Sequence, residues 1–160
     1  MKNNDEALIL IRCIADYQFG KDVGEALFPD GVEVVFSKRT GKVKHIYFHG
    51  RLLATLRPMD GLFSLTVEGG ERILKKGLAS RMLVKVNKEA APFIREGRNV
   101  FAKHVIEASE EIRPEEEVIV VDENCKLLAV GRAMLTGREM KSFRRGIAVR
   151  VRAGSAKSNK

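Results

Sequence analysis

Apolar and polar positions in the first half of the chain predict helices followed by an antiparallel sheet. Residues 5–16 place an apolar run behind an acidic first turn, which favours a helix, and a second short helix is expected at 23–27. Glycine-containing turns then separate four strand-like runs, as in a meander of hairpins: 32–37, 43–48, 51–57 and 62–67. A further short helix is expected at 71–76, ending at Gly77.

The pattern changes near residue 78, and strand-like runs dominate the second half. Two short helices interrupt them, at 88–96 and 136–143, and Gly97 lies just past the end of the first. The expected strands are 81–87, 99–108, two arms of a hairpin that turns at 122–125, and 146–152. Several short strands with two small helices predict a closed or nearly closed small barrel.

The predicted organisation is therefore an α+β domain with an antiparallel sheet at 1–78, followed by a mostly β domain at 79–152. A chain of 160 residues suits two very small domains or one compact domain, and either can bury a core. The remaining residues, 153–160, are small, polar and basic, which predicts a disordered tail.

The charge of the chain is basic and unevenly distributed. The formal net charge is +8, and residues 138–160 carry eight basic side chains against one acidic side chain, Glu139. Such a balance indicates phosphate polymers as partners, with an anionic membrane surface as the alternative. The longest early apolar run stops at Arg12, so no signal peptide, spanning helix or membrane partner is expected, and a cytoplasmic location is predicted.

The residues that could support catalysis or metal binding form no convincing site. Cys13 and Cys125 are far apart in sequence, which argues against a zinc site and favours a reducing compartment. His45 and His49 are expected on one strand face without further ligands, so a plain surface pair is favoured over a metal site. The segment "EGGER" lacks the Lys-Ser/Thr of a phosphate loop. We expect no cofactor, no metal, and no enzyme acting alone.

The basic residues near the C-terminal end have a more coherent spacing. The last strand should project Arg150 and Arg152 from one face. The helix before it places basic residues three and four positions apart in one stripe, with Met140 and Phe143 expected to pack inward: Arg138, Lys141 and Arg145. A solvated face is the alternative, but the near absence of acidic residues favours an anion-binding surface.

Gly97 supplies a separate indication, because Arg95 and Arg98 flank it. A glycine at a helix end exposes backbone N–H groups and allows another backbone to approach closely. Its other role is that of an ordinary helix cap, and both roles are compatible.

Three stretches resemble the PUA domain, an RNA-binding module: "PFIREGRNVFAKHV", "RPEEEVIVVDENCKLLAVGRAML" and "GREMKSFRRGIAVRVR". The match covers about 81–152. The first half, with "ADYQFGKDVGEALFP" and "LRPMDGLFSLTVEGGERI", is similar to the domain that directly precedes PUA in archaeal tRNA-guanine transglycosylases. The resemblance implies a PUA pseudobarrel behind a small α+β domain. In that family the catalytic part is a separate (β/α)₈ barrel with catalytic aspartates and a Cys-rich zinc site, and this sequence has no counterpart.

The resemblance also implies a function. The family replaces a guanine in the tRNA D-arm with a precursor of archaeosine, and its PUA domain holds the acceptor stem and 3′ end. The chain is therefore expected to bind tRNA as a non-catalytic subunit or accessory module, with a separate catalytic transglycosylase chain as its partner. The alternatives are a stand-alone PUA protein that acts in ribosome biogenesis or translation, and an enzyme with an unrecognised site.

Matching positions of the PUA domain imply a set of RNA-binding residues: Arg95, Gly97, Arg98, Asn99, Lys103, Arg144, Arg145 and Arg150. These overlap with the residues selected by charge and spacing. Lys and Arg would neutralise phosphates, so the affinity should fall steeply with salt. Phe19 and Phe28 could stack on bases, but burial is favoured for both.

Overall fold

A computed structural model describes residues 4–156 and divides the chain between Leu78 and Ala79 into two compact units. The fold class predicted from the sequence is confirmed: the first unit combines helices with an antiparallel sheet, and the second is a nearly closed, mostly β barrel. No helix within the described residues is long and apolar enough to cross a membrane.

The first unit is a four-stranded meander with three helices. Its strands pair in the order β1-β2-β3-β4, each antiparallel to the next, as the hairpin turns predict. The elements are α1 (Asn4–Phe19), α2 (Val23–Leu27), β1 (Glu33–Phe36), β2 (Val43–Phe48), β3 (Arg51–Leu56), β4 (Phe63–Leu65) and α3 (Val67–Lys75).

One face of this sheet enters the core. The row formed by Ile46, Ala54 and Leu65 is fully buried, because residues opposite each other on neighbouring strands share a face. Phe28 and Phe63 meet edge to face with ring centroids 5.1 Å apart. Phe28 and Phe19 are both buried, so the favoured interpretation of these two aromatics is confirmed.

The third helix begins earlier than the sequence predicts. Thr66 and Val67 were expected in the fourth strand, but Thr66 is the N-cap of α3, and its Oγ1 accepts a hydrogen bond from the Gly69 amide at 3.1 Å. Gly69 then lies against the carbonyl oxygen of Leu53, where a Cβ would collide with the backbone. The helix therefore packs closely on β3, a contact that only glycine permits here.

The second unit is a six-stranded mixed sheet. Its strand order is β6-β10-β9-β8-β5-β7, and every pair is antiparallel except the parallel pair β5–β8. The elements are β5 (Leu83–Val86), α4 (Ala91–Arg95), β6 (Val100–Phe101), a 3₁₀ turn (Ala102–His104), β7 (Val105–Ala108), β8 (Glu117–Val121), β9 (Leu127–Ala133), α5 (Gly137–Ser142) and β10 (Ile147–Gly154). Its core includes Val84, Ile94, Val120, Leu128 and Met140.

The long strand predicted at 99–108 is wrong, because the 3₁₀ turn divides it. Ala102 is buried, and its amide donates to the carbonyl of Gly146 at 2.9 Å. The two halves then pair with different strands, β6 with β10 and β7 with β5. The break thus carries the chain from one edge of the sheet to the other.

Residues 153–156, which were predicted to start a disordered tail at 153–160, have a defined backbone instead. Ala153 and Gly154 continue β10 and pair with β9. The amide of Ser155 then donates to the carbonyl of Leu128 at 2.8 Å, and that of Ala156 donates to the carbonyl of Arg95 at 3.0 Å. Backbone hydrogen bonds, which composition does not reveal, order this segment. Residues 157–160 lie outside the described residues.

Candidate nucleic-acid interface

Two basic segments that are distant in sequence lie side by side in the second unit. Segment 95–103 begins at the last residue of α4, and segment 144–150 includes the start of β10. The two run antiparallel, since Val100 lies opposite Val149 and β6 is the edge strand beside β10. The groups selected separately by charge therefore share one edge of the sheet.

Beyond Val149, one side-chain hydrogen bond and close backbone packing hold the two segments together. The Oδ1 of Asn99 accepts a hydrogen bond from the Val151 amide at 3.0 Å. A Cβ at Gly154 would collide with the carbonyl oxygen of Arg95 and lie 2.7 Å from the Gly97 nitrogen. The end of α4 and the end of β10 are consequently fixed relative to each other.

Six of the eight predicted binding residues are cations with exposed side chains. We call this set the basic edge: Arg95, Arg98, Lys103, Arg144, Arg145 and Arg150. Gly97 and Asn99 are half-buried between them.

Within residues 4–156, none of the six cations of the basic edge forms an ion pair with a carboxylate. Other cations of the same unit do: Arg81 lies 2.8 Å from Glu111, and Lys85 lies 3.6 Å from Glu107. An inert surface mixes both signs of charge, so this local excess is typical of a surface that binds an anion.

The expectation that the helix end leaves backbone N–H groups available is wrong for Gly97 and Arg98. The Gly97 amide donates to the carbonyl of Ile94 at 2.9 Å, and the Arg98 amide donates to that of Phe93 at 3.1 Å. Gly97 has a φ of +105°, a conformation that suits glycine. Its established role is that of a helix cap.

The predicted helical stripe of basic residues is also divided. A capping box of Thr136 and Glu139 fixes the start of α5, and Phe143 is already extended, so Arg145 lies outside the helix. Arg138 is exposed and lies 3.8 Å from Glu110. Met140 is buried as expected, whereas Phe143 is 45% exposed and does not pack inward as predicted.

The last strand projects one available arginine rather than two. Arg150 is exposed, but Arg152 donates two hydrogen bonds to the buried carboxylate of Glu117, at 2.7 and 2.6 Å. This bidentate pair neutralises Arg152.

Exposed aromatic side chains next to the basic edge were missed by the sequence analysis. Phe93 is 62% exposed and Phe101 is 45% exposed. The alternation of residues along the chain is a signal for the exposure of Phe101. Its neighbours Val100 and Ala102 are buried, so the ring between them points away from the core. Exposed rings beside cations can stack on unpaired bases.

The histidines of the first unit show no metal site. His45 Nδ1 lies 3.0 Å from Thr55 Oγ1, and His49 occupies a turn with its ring centroid 4.0 Å from that of Phe48. Among the described residues, no group of three or more His, Cys, Asp or Glu side chains could hold a metal ion.

Comparison with known proteins assigns both units. Residues 10–78 match the family described as the patch-forming domain C2 of tRNA-guanine transglycosylase, and residues 82–154 match the PUA domain. Each match covers one of the two units. Together the two matched regions resemble the C-terminal region of archaeal tRNA-guanine transglycosylase.

Two curated relatives are named tRNA-guanine(15) transglycosylase. The protein from Thermococcus onnurineus is 46% identical over 147 residues, which are 92% of this chain and 25% of the relative. The protein from Thermococcus kodakarensis is 45% identical over 152 residues, which are 95% of this chain and 26% of the relative. The chain thus spans about a quarter of the length of these relatives.

A solved structure shares the fold across nearly the whole chain. A hypothetical protein from Pyrococcus horikoshii superposes with a TM-score of 0.73 at 24% identity, covering 94% of this chain and 90% of that one. The matched regions are accessory domains and not a catalytic domain.

Proposed function

We propose that this protein is a non-catalytic tRNA-binding module that holds the acceptor stem and 3′ end of tRNA for archaeosine modification. The catalytic step would belong to a separate transglycosylase chain. The curated relatives support this division, because they extend well beyond the region that this chain matches.

The observation that carries the proposal is the basic edge. Its six cations come from two antiparallel segments and have no carboxylate partner within residues 4–156. Cations without carboxylate partners bind an extended polyanion most favourably, because each phosphate that they neutralise releases counterions. An RNA backbone has this chemistry.

The exposed aromatics support the part of the proposal that concerns the 3′ end. Phe93 and Phe101 stand beside Arg95 and Lys103 in the chain and are exposed. RNA-binding proteins recognise unpaired nucleotides by stacking their bases on aromatic rings, whereas duplex RNA is contacted through phosphates and 2′-hydroxyls. The acceptor end of tRNA offers a duplex followed by unpaired nucleotides, which fits cations next to aromatics.

The test is binding of the purified protein to tRNA with and without its 3′ CCA end, across a salt series. Tighter binding to intact tRNA, with an affinity that falls steeply with salt, is the expected result. Equal and weak binding to both RNAs, with an affinity that depends only on the salt concentration, would mean that the basic edge is a general polyanion-binding surface.

Two further measurements distinguish the proposed function from its alternatives. A ribosomal RNA fragment bound more tightly than tRNA would favour a stand-alone factor in ribosome biogenesis or translation. Exchange of labelled guanine into tRNA by this chain alone would establish an enzyme and overturn the non-catalytic assignment.

A further inference from the structure

Two arginines from neighbouring strands face each other on the barrel. Arg150 on β10 lies directly opposite Arg132 on β9. Directly opposed residues of an antiparallel pair share a face, with Cβ atoms roughly 5 Å apart, and like charges in this position destabilise the sheet. The juxtaposition therefore opposes folding unless something compensates it.

The acidic residues nearby compensate this pair poorly. Glu117 lies opposite Arg132 on the other side, but its two carboxylate oxygens accept the bidentate hydrogen bonds of Arg152. Arg132 Nη1 lies 3.5 Å from an oxygen of Glu115, at the limit of a hydrogen bond, and both side chains are exposed. Arg150 has no ion pair within residues 4–156.

The backbone beneath the two arginines is held closely. Gly131 lies against the carbonyl oxygen of Arg150, where a Cβ would collide, so β9 and β10 approach one another at this point. The two guanidinium groups thus extend from a fixed base. Strand β10 also separates β9 from β6. Arg132 therefore lies one strand further from the edge strand β6 than Arg150 does.

We propose that Arg132 and Arg150 together bind one phosphate of the RNA backbone, which makes Arg132 a further RNA-contacting residue. A phosphodiester carries the negative charge that the pair lacks, and guanidinium groups bind phosphate oxygens through paired hydrogen bonds. The site rests on the proposed function, and it extends the interface from the sheet edge onto the face of β9. Arg132 carries no signal of this role in the sequence, because it lies in an apolar hairpin with no neighbouring cation.

The experiment measures binding of a fluorescent tRNA transcript across a KCl series for R132Q, R150Q and the double variant. Each single variant should lose roughly three- to tenfold in affinity at low salt, and in the double variant the slope of log K against log salt should become shallower by about 0.9, because one phosphate is no longer neutralised. Because both arginines hold one phosphate, the double variant should lose less than the product of the two single losses. R81Q is the matched control, since Arg81 is an exposed arginine of the same unit already paired with Glu111.

Thermal unfolding separates binding from folding. R132Q removes one of two opposed like charges, so its Tm should equal or exceed that of the wild type. An R132Q protein that matches R81Q in affinity and slope, while R150Q is weakened, would overturn this inference and leave the proposed function standing. A lowered Tm that accompanies the lost affinity would also overturn it, because Arg132 would then be structural. Failure of the wild type to bind tRNA would remove both proposals.

Discussion

Arg152 on β10 binds the carboxylate of Glu117 on β8 through both of its terminal nitrogens, at 2.7 and 2.6 Å. The Glu117 side chain is fully buried, whereas that of Arg152 is 36% exposed. Because β9 lies between the two strands, the ion pair links three neighbouring strands. The same contact explains why Arg150, and not Arg152, belongs to the basic edge.

Replacing Arg152 should destabilise the second unit. Arg152→Ala leaves the buried Glu117 without its guanidinium partner, and the free energy of unfolding should fall by about 2–4 kcal/mol. Urea unfolding measures the change. Arg81→Ala, which breaks the exposed pair with Glu111, should change it by no more than about 0.5 kcal/mol. Equal losses in the two variants would show that burial of Glu117 has no energetic consequence.

Gly154 should be intolerant of any side chain. A Cβ there meets the carbonyl oxygen of Arg95 and the Gly97 nitrogen, both of which are backbone atoms that cannot rotate away. Gly154→Ala should therefore lower the stability by about 1–3 kcal/mol and weaken RNA binding by displacing the end of α4. Gly61→Asn is the control: Gly61 has a φ of +70° and open space around it, and asparagine tolerates that conformation. A fully stable Gly154→Ala protein would contradict this packing.

The meander of the first unit could be predicted from the sequence because its turns are local. Each hairpin joins strands that are adjacent in the chain, so alternation and glycine positions suffice. The strand predicted at 99–108 failed for the opposite reason. Its two halves pair with β10 and β5, and such pairings between distant segments leave no local signal in the sequence.

The charge of the candidate site could be predicted from the sequence, but the contacts of its side chains could not. Charge and spacing identified Arg95, Arg98, Arg145 and Arg150, and the resemblance to the PUA domain added Lys103 and Arg144. Whether each cation is available depends on partners far along the chain, as with Glu117, which lies 35 residues from Arg152. The occupied amides of Gly97 and Arg98 likewise depend on how the helix end closes.

The basic edge should control the salt dependence of RNA binding. The double variant Arg95→Gln/Arg98→Gln removes two exposed cations, so the slope of log K against log salt should become shallower by about two, with stability changed by less than about 0.5 kcal/mol. Titration with tRNA across a KCl series measures this slope. Arg138→Gln is the matched control, because Arg138 lies near Glu110 and outside the basic edge. An equal effect of Arg138→Gln would mean that total charge, and not this surface, governs binding.

Phe93 should contribute to recognition of the unpaired 3′ end rather than of the duplex. It is 62% exposed, so Phe93→Ala should leave the fold intact while removing a stacking surface that is worth about 1–3 kcal/mol per base. The loss should appear with intact tRNA and vanish with tRNA trimmed of its CCA end, and the salt slope should stay unchanged because no charge is removed. Tyr17→Ala, at an 82% exposed aromatic of the first unit, serves as the control. If Phe93→Ala weakens intact and trimmed tRNA equally, the ring does not contact the 3′ end, and the acceptor-end assignment loses its aromatic support.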